Sequence, residues 1–525
     1  HDLWRPAEPR EAAIAREMIE SGNWVATYLN GQLFLEKPPL YTWTMAGMMK
    51  IFGYKDWPIR IPVLLFTCGL LILTYSFAYR ELDSKGAVLS VVAVATMSLF
   101  LEVNHGAMID NGLMFFTMLS LYAFYRCFEI WQNETSRNRF HKDPLFGWAT
   151  LFYLGLGLAF LCKGIIGPAL VLAPIAGFVI FGKRWRIIPR IYPIYGSCLA
   201  LFVVACWLFA LWLKGGSHYF NVFFMDNHVK RFTGDYGPKE APFYYIPYIF
   251  LAPLPWTILL VPAIAALRER MTRVTPGKNA FWTFAFWWIG SMFVMLSIAG
   301  TKDSQYLLPL LPAFGFIYGM FVKRTLSGDP FPRWWAVFIR CFCIVGSLAI
   351  LATPFIPVAR SCPLGFSSIL MGAILLSVTI NMLVGLFRNQ WQGVWIRMAI
   401  LIIGAGICLH LFVEPVLNEM KSSRPAWEFI QENVPESADL TGIDLDENTQ
   451  GFMYYYGRAP RILETNEEIV KAARSENDSY ILVIERRKNY PPIVEDLVAT
   501  GQWQLHNEAK FEHRLYRLLK NRKKH

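Results

Sequence analysis

The chain has 525 residues, of which 54% are hydrophobic, 16% aromatic and only 17% charged, and its formal net charge is +11. Soluble proteins carry about a quarter charged residues, so this deficit excludes an ordinary water-soluble protein and indicates lipid as the main solvent. The positive excess lies in short loops on one side of the apolar part, which is typical of membrane topology and excludes a nucleic-acid-binding face.

Residues 1–57 are predicted to form a structured outer loop and not a membrane span. A helix can begin at Pro9, because proline is tolerated in the first turn, and the acidic Glu8 and Glu11 suit its positive N-terminal end. A break and an extended stretch follow, and then a second amphipathic segment at 40–52. We expect this loop to lie on the membrane interface.

Between residues 58 and 417, about twelve apolar runs are long enough to span the ~30 Å hydrocarbon core of a bilayer. They lie near 58–79, 86–103, 108–130, 146–162, 165–181, 192–213, 244–266, 279–299, 305–322, 334–357, 366–387 and 395–417. One alternating set of loops holds more than twice as many Lys and Arg residues as the other. By the positive-inside rule the richer set is cytoplasmic, so the first loop, the long loop 214–243 and the C-terminal segment are expected outside. Because twelve spans leave both ends outside, we expect one further helix before His1.

The composition changes after Glu414-Pro415 to that of a water-soluble domain. Its predicted elements are helices at 424–434 and 465–475, strands at 438–444 and 480–485, and a hairpin at 503–519. We therefore predict a small α/β domain over 424–525. The nine cysteines of the chain are scattered without a CxxC pair, so neither a zinc site nor a disulfide framework is indicated.

Ionisable side chains from distant stretches gather on the predicted outer side. They are Glu8, Arg10, Glu36, Lys37, Asp110, Lys163, His228, Lys230, Arg231, Lys302 and Asp303. Charge near a bilayer is costly and marks function, although snorkelling toward headgroups would explain any single lysine. Such cations can bind a phosphate and stabilise charge on a leaving group, and a carboxylate can act as general base in an inverting displacement. The set predicts a site for a lipid phosphate beside a reacting sugar.

Several stretches form a recognisable pattern. The first loop reads PAEPREAAIAREM at 6–18, SGNW at 21–24, LNG at 29–31 and FLEKPPL at 34–40. Later stretches are Asp110-Asn111, FLCKG at 160–164, NHVKRF at 227–232, KEAPFYY at 239–245 and YLLP at 306–309. Together they resemble the bacterial aminoarabinose (lipid A) transferases and their relatives in the protein O-mannosyltransferase superfamily.

The resemblance implies a mainly α, polytopic membrane protein with the C-type glycosyltransferase fold and a small C-terminal α/β domain. It implies a place among the lipids of the bacterial inner membrane, with the active site facing the periplasm. It also implies transfer of a sugar from undecaprenyl phosphate to lipid A, another glycan or a protein.

The resemblance also assigns roles by position. The residues expected to bind the donor phosphate are Arg10, Lys37, Lys163, Arg231 and Lys302. Glu36 and His228 match positions associated with a divalent metal, the one cofactor expected. Many relatives carry Asp-Glu where this chain has Ala7-Glu8, so either Glu8 or Asp110 is expected to take the catalytic role, with Glu8 favoured as the base.

Two other classes of function remain open at this point. A transporter or flippase for a lipid-linked substrate is the main alternative, but such proteins tend to show two related halves with a site at mid-membrane. A non-catalytic scaffold is the other, and it leaves the charges of the outer loops unexplained.

Overall fold

The apolar runs fold into α-helices, and a small sheet lies near the C-terminal end. The computed structural model describes residues 2–4, 7–133, 144–229, 240–273, 279–328, 332–352, 366–435, 437–443, 451–452, 454–455, 461–463, 465–474, 478–486, 493–511 and 514–522. The helices are α1 (Ala7–Ser21), α2 (Leu40–Phe52), α3 (Ile61–Ala95), α4 (Ser98–Asn104), α5 (Ile109–Asn133), α6 (Pro144–Lys163), α7 (Ile166–Phe181), α8 (Pro193–Asn221), α9 (Tyr245–Leu251), α10 (Leu260–Arg273), α11 (Ala280–Ile298), α12 (Leu311–Leu326), α13 (Arg333–Ala352), α14 (Phe366–Phe387), α15 (Trp391–Cys408), α16 (Glu414–Lys421), α17 (Arg424–Asn433), α18 (Asn466–Ala473) and α19 (Ile493–Ala499). The strands are β1 (Tyr28–Leu29), β2 (Gln32–Leu33), β3 (Asp439–Ile443), β4 (Arg461–Ile462), β5 (Ser479–Arg486), β6 (Trp503–Phe511) and β7 (Arg514–Asn521).

The protein is a multi-pass membrane protein. Within the described ranges, eight helices are long and apolar enough to cross a membrane, or nine if α9 and the segment 256–273, which meet at 92°, form one broken span. Helix α7 is apolar but has only 16 residues. The predicted runs thus form helices of unequal length, and the number of about twelve crossings stays a prediction.

The predicted run 58–79 and the first part of the run 86–103 lie in the two halves of α3, and the rest of the second run forms α4. Helix α3 is interrupted at Asp83, whose φ of 65° and ψ of −178° are not helical. The Asp83 carboxylate accepts a hydrogen bond from the Gly86 backbone N–H at 3.0 Å, so it caps the second half of the helix. The apolar pattern predicted both halves, but no glycine or proline marked the break.

The first outer loop holds two helices joined by a short hairpin. Strands β1 and β2 pair antiparallel around Asn30-Gly31, both with positive φ, the pattern of a two-residue hairpin turn. Helices α1 and α2 bury one common cluster that includes Met18 and Met45. The loop is therefore a packed unit, as its amphipathic pattern predicted.

The membrane part is held together by buried aromatic side chains. The Phe77 ring lies 5.1 Å from that of Tyr125, 5.4 Å from Phe281 and 5.3 Å from Phe316. These rings come from four helices distant in sequence, and each such pair adds about 1 kcal/mol beyond the burial of its area.

The C-terminal segment forms a five-stranded sheet in the order β4-β3-β5-β7-β6. The first three strands run parallel, and β7 and β6 continue the sheet as an antiparallel hairpin. The predicted strands at 438–444 and 480–485 correspond to β3 and β5, and the predicted hairpin at 503–519 to β6 and β7. Strand β4 has only two residues, too few to leave a pattern in the sequence.

Candidate functional site

A cavity of about 450 Å³ opens between the first outer loop and the membrane helices. Most of its wall is apolar and comes from α5, α7 and α11, whereas its polar groups come from loops and helix ends. The polar lining residues are Glu36, Lys37, Lys163, Asn227, Thr301 and Tyr306. A cavity with a long apolar wall and cations beside it has the chemistry to hold a lipid chain that ends in an anionic group.

Lys37 and Arg10 converge on one buried carboxylate. The Glu11 Oε1 atom lies 3.6 Å from Lys37 Nζ and 3.1 Å from a terminal guanidinium nitrogen of Arg10. Burial raises the pKa of Glu11, but the two cations outweigh it and hold that pKa below its ordinary value. Glu11 therefore stays ionised and fixes the position of both cations.

Lys163 and Asp110 form the second charged pair of the site. Lys163 ends α6 and Asp110 lies in the first turn of α5, where each charge suits the dipole of its own helix. Their side chains, 12% and 8% exposed, form an ion pair, and Lys163 Nζ also lies 4.2 Å from the centre of the Tyr306 ring. This pairing keeps a buried ammonium group at the wall of the cavity.

Glu8 occupies a different environment from the other predicted site residues. Its carboxylate accepts hydrogen bonds from Arg60 Nε at 2.7 Å and an Arg60 terminal nitrogen at 2.8 Å, and from the backbone N–H groups of Trp4 at 2.9 Å and Ala107 at 3.0 Å. It is 3% exposed and is not among the residues that line the cavity. Four donors already hold the Glu8 carboxylate. The geometry therefore favours a structural role for Glu8 over the predicted role of general base.

Lys302 also makes its hydrogen bonds outside the cavity. Its ammonium group donates to the carbonyl oxygens of Ala299 at 2.6 Å, directly after α11, and of Glu240 at 3.0 Å, in the loop before α9. Thr301 and Ala299 line the cavity, but Lys302 does not. The structure therefore places Lys302 behind the wall and not at the predicted phosphate.

The structure describes only some of the remaining predicted site residues. Arg231 and Lys230 lie outside the described residues, and of His228 only the backbone, in the turn 222–229, is described. Glu36 lines the cavity, but among the described residues no three His, Cys, Asp or Glu side chains come together as a metal site. The divalent metal expected at Glu36 and His228 stays a prediction.

Three residues of the site had no predicted role. Glu11 was assigned only to the helix end, Tyr306 only to a motif, and Asn227 only to the outer loop. The signal for Glu11 was present, because it directly follows Arg10, one of the predicted phosphate-binding cations.

The fold and the site define a polytopic membrane protein of the C-type glycosyltransferase fold. The structure superposes on a crystal structure of ArnT from Cupriavidus metallidurans bound to undecaprenyl phosphate, with a TM-score of 0.75 and 19% identity. The match covers 98% of this chain and 94% of that one. At this identity the likeness establishes the fold alone.

Sequence comparison shows similarity to a family of mannosyltransferases and to arabinosyl transferases. Residues 36–210 match the family described as dolichyl-phosphate-mannose-protein mannosyltransferase. The chain is 28% identical over 330 residues to the undecaprenyl phosphate-alpha-4-amino-4-deoxy-L-arabinose arabinosyl transferase of Edwardsiella ictaluri, covering 62% of this chain and 56% of that protein. It is 26% identical over 445 residues to the corresponding transferase 2 of Proteus mirabilis. This match covers 82% of this chain and 75% of that protein. The alignment with the first of these spans little more than half of that relative's length.

These comparisons show that the chain is similar in sequence to aminoarabinose transferases and to the mannosyltransferase family, and similar in fold to ArnT. The resemblance noted in the sequence is thereby confirmed, as is the mainly α membrane fold with a small C-terminal sheet.

Proposed function

We propose that the chain is a membrane glycosyltransferase that moves a sugar from a polyprenyl-phosphate donor to a lipid, glycan or protein acceptor. The observation that carries the proposal is the amphipathic cavity, whose apolar wall meets Lys37 and Lys163 at its polar end. The names of the similar proteins, which refer to undecaprenyl phosphate-aminoarabinose, support a donor of that class and a lipid acceptor. They give no support to the transporter alternative.

In this proposal the donor lipid lies along the apolar wall with its phosphate between the cations. Lys37 is held by Glu11 and Lys163 by Asp110, so both ammonium groups are in place before the donor arrives. Preorganised cations act most strongly where negative charge develops, which here is the phosphate oxygen of the departing polyprenyl phosphate. Arg10, bound to the same carboxylate as Lys37, adds a third cation.

We assign the general base to Glu36, because it is the predicted carboxylate that lines the cavity. The acceptor hydroxyl oxygen attacks the anomeric carbon, the bond from that carbon to the phosphate oxygen breaks, and its electron pair leaves with the polyprenyl phosphate. The hydroxyl proton passes to Glu36, and an in-line attack of this kind inverts the anomeric centre. Asp110 assists by orienting Lys163.

We further infer that the protein lies in the bacterial inner membrane and that the cavity opens to the periplasm. The support is the excess of Lys and Arg in the loops on the opposite side. A fluorescent reporter fused to the loop 267–278 and to the C-terminus tests this orientation, because the two fusions are expected on opposite sides.

The test of the function uses the purified full chain in liposomes with undecaprenyl-phosphate sugar. We expect Glu36→Gln to lower the rate of transfer about a hundred to ten thousand fold with donor binding retained. Lys163→Met is expected to weaken donor binding. The matched control is Lys323→Met, because Lys323 also ends a helix and pairs with an aspartate, Asp83, at 3.0 Å, away from the cavity.

Two outcomes contradict the proposal. Full transfer in both Glu36→Gln and Lys163→Met removes the proposed site. Movement of intact lipid-linked sugar across the liposome membrane, without cleavage of the sugar–phosphate bond, identifies a flippase.

A further inference from the structure

A second cavity, of about 470 Å³, lies where the first outer loop meets the C-terminal domain. Five aromatic side chains bound it, two from the loop and three from the domain. We call it the junction pocket and define it by these rings: Tyr54, Trp57, Trp427, Tyr454 and Tyr455. It shares no lining residue with the donor cavity, so the two are separate sites.

The two walls of the junction pocket are tied together by hydrogen bonds. The Tyr454 hydroxyl donates to the Lys55 carbonyl oxygen at 2.9 Å, and Arg16 donates to the Tyr454 carbonyl oxygen at 2.5 Å. The Tyr455 hydroxyl accepts from the Leu3 backbone N–H at 3.1 Å. The pocket is therefore formed before any ligand arrives, which lowers the entropic cost of binding.

The arginines of the pocket are paired with carboxylates of the protein, and the pocket is also lined by Lys55. Its three arginines, Arg16, Arg60 and Arg424, each have a carboxylate oxygen at 2.7 to 3.0 Å. The pocket carboxylate Asp56 lies 3.6 Å from Arg424. Paired groups of this kind offer both donors and acceptors to a ligand, and they favour a polar neutral ligand over a free phosphate.

The pocket also contains a donor that the protein does not use. The Trp427 Nε1 atom is buried and, among the described residues, has no hydrogen-bond acceptor. A buried indole N–H normally has a partner, so an acceptor supplied by a ligand is expected here. By contrast, Tyr54 and Trp57 are 44% and 49% exposed, with the Arg16 guanidinium 4.9 Å from the centre of the Tyr54 ring.

Exposed aromatic side chains combined with paired ionic groups and a spare N–H match the chemistry of a saccharide. The C–H faces of a pyranose pack against aromatic rings, while its hydroxyl groups both donate and accept hydrogen bonds. A lipid chain would not use the ionic groups, and a phosphate would compete with the carboxylates already present.

Helix α1 connects the junction pocket to the donor cavity. Arg10 belongs to the cation group of the donor site and Arg16 lines the junction pocket. Both lie on α1, about 9 Å apart along its axis at 1.5 Å per residue.

We propose that the junction pocket binds a saccharide portion of the acceptor and presents it to the donor cavity, an inference that rests on the proposed transferase function. The acceptor is then a glycan-bearing molecule, either a glycolipid or a glycosylated protein. The pocket sets acceptor affinity, whereas the donor cavity holds the reacting groups.

The test measures saccharide binding to the purified full chain in detergent. An array of bacterial oligosaccharides, including delipidated lipopolysaccharide, is probed with labelled protein, and the best ligand is titrated. We expect Trp57→Ala and Trp427→Phe each to weaken its affinity about tenfold. Trp427→Phe keeps one aromatic ring and removes the N–H together with the second ring of the indole. The matched control, Trp185→Ala, alters a tryptophan that is 52% exposed outside the pocket, and is expected to leave the affinity unchanged.

Absence of binding to every saccharide of the array, or equal affinity of the wild-type chain and both pocket variants, overturns the proposal. Undecaprenyl phosphate binding, measured on the same samples, separates this failure from that of the transferase function, because donor binding does not involve the junction pocket. Comparing the free oligosaccharide with the same oligosaccharide on its lipid distinguishes the two sources of the glycan.

Discussion

Glu8 and Arg60 form a two-point ion pair, with Arg60 Nε 2.7 Å from Glu8 Oε1 and a terminal guanidinium nitrogen 2.8 Å from Glu8 Oε2. The same arginine donates to the Asp2 carbonyl oxygen at 2.8 Å. Because Glu8 begins α1 and Arg60 directly precedes α3, the pair fixes the first outer loop to the membrane part. The carboxylate favoured as a catalytic base in the sequence is thus a structural connection.

We expect Glu8→Gln to destabilise the protein by about 3 kcal/mol, because one carboxylate oxygen is replaced by an amide that faces the Arg60 donors. Donor binding is expected to persist in the fraction that remains folded. Thermal unfolding in detergent and undecaprenyl phosphate binding measure the two effects. Glu17→Gln on the same helix is the control, since Glu17 accepts only an exposed hydrogen bond from Gly31. A stable Glu8→Gln variant that binds donor but does not transfer would restore the catalytic role.

The pair of Lys163 and Asp110 can be tested by a double substitution. Asp110→Asn leaves a buried ammonium group without its partner, and we expect a loss of about 3 kcal/mol. Adding Lys163→Met removes the unpaired charge, so the double variant is expected to regain much of the lost stability. Donor binding is expected to stay weak in the double variant, because the phosphate has lost a cation. Recovery of donor binding together with stability would show that Lys163 has only a structural role.

The ion pairs of Glu11 predict a dependence of stability on pH. Since Lys37 and Arg10 lower the pKa of Glu11 below its ordinary 4.5, the stabilisation is present at neutral pH and is lost as the pH falls through the lowered pKa. Lys37→Met removes one of the two cations, so the pKa of Glu11 is expected to rise. The difference in melting temperature between wild type and Lys37→Met is therefore expected to be largest near pH 7 and to narrow as the pH falls below 4.5 and through the lowered pKa of Glu11. For the exposed Lys50→Met control, a constant difference is expected, and a constant difference for Lys37→Met would contradict the assignment.

The sequence predicted what depends on local pattern. Apolar runs predicted the helices, and the motifs around Lys37 and Lys163 predicted two cations of the cavity. The sequence could not predict which donors a buried carboxylate meets, because those contacts join distant segments, as Glu8 and Arg60 do. The same limit applied to Lys302, because its carbonyl partner Glu240 lies about 60 residues earlier in the chain.

Asp2 offers the sharpest test of how the C-terminal domain is attached. Its carboxylate accepts hydrogen bonds from the Ser422 hydroxyl at 2.7 Å, Arg424 at 3.0 Å and the Asn418 side chain at 3.2 Å. Although burial raises the pKa of Asp2, the hydrogen bonds from these three groups hold it below its ordinary value, so the charge is present at neutral pH.

We expect Asp2→Ala to loosen the C-terminal domain, because three donors lose one common acceptor. Hydrogen exchange of the backbone amides in α17 is expected to accelerate, while exchange in α5 and α6 stays unchanged. The control is Asp478→Ala, whose carboxylate pairs with Lys520 inside the sheet and does not touch the outer loop. Since Arg424 also borders the junction pocket, Asp2→Ala is expected to raise the KM for the acceptor with little change in donor affinity. Unchanged exchange in α17 would show that the aromatic contacts of Tyr454 and Tyr455 hold the domain without Asp2.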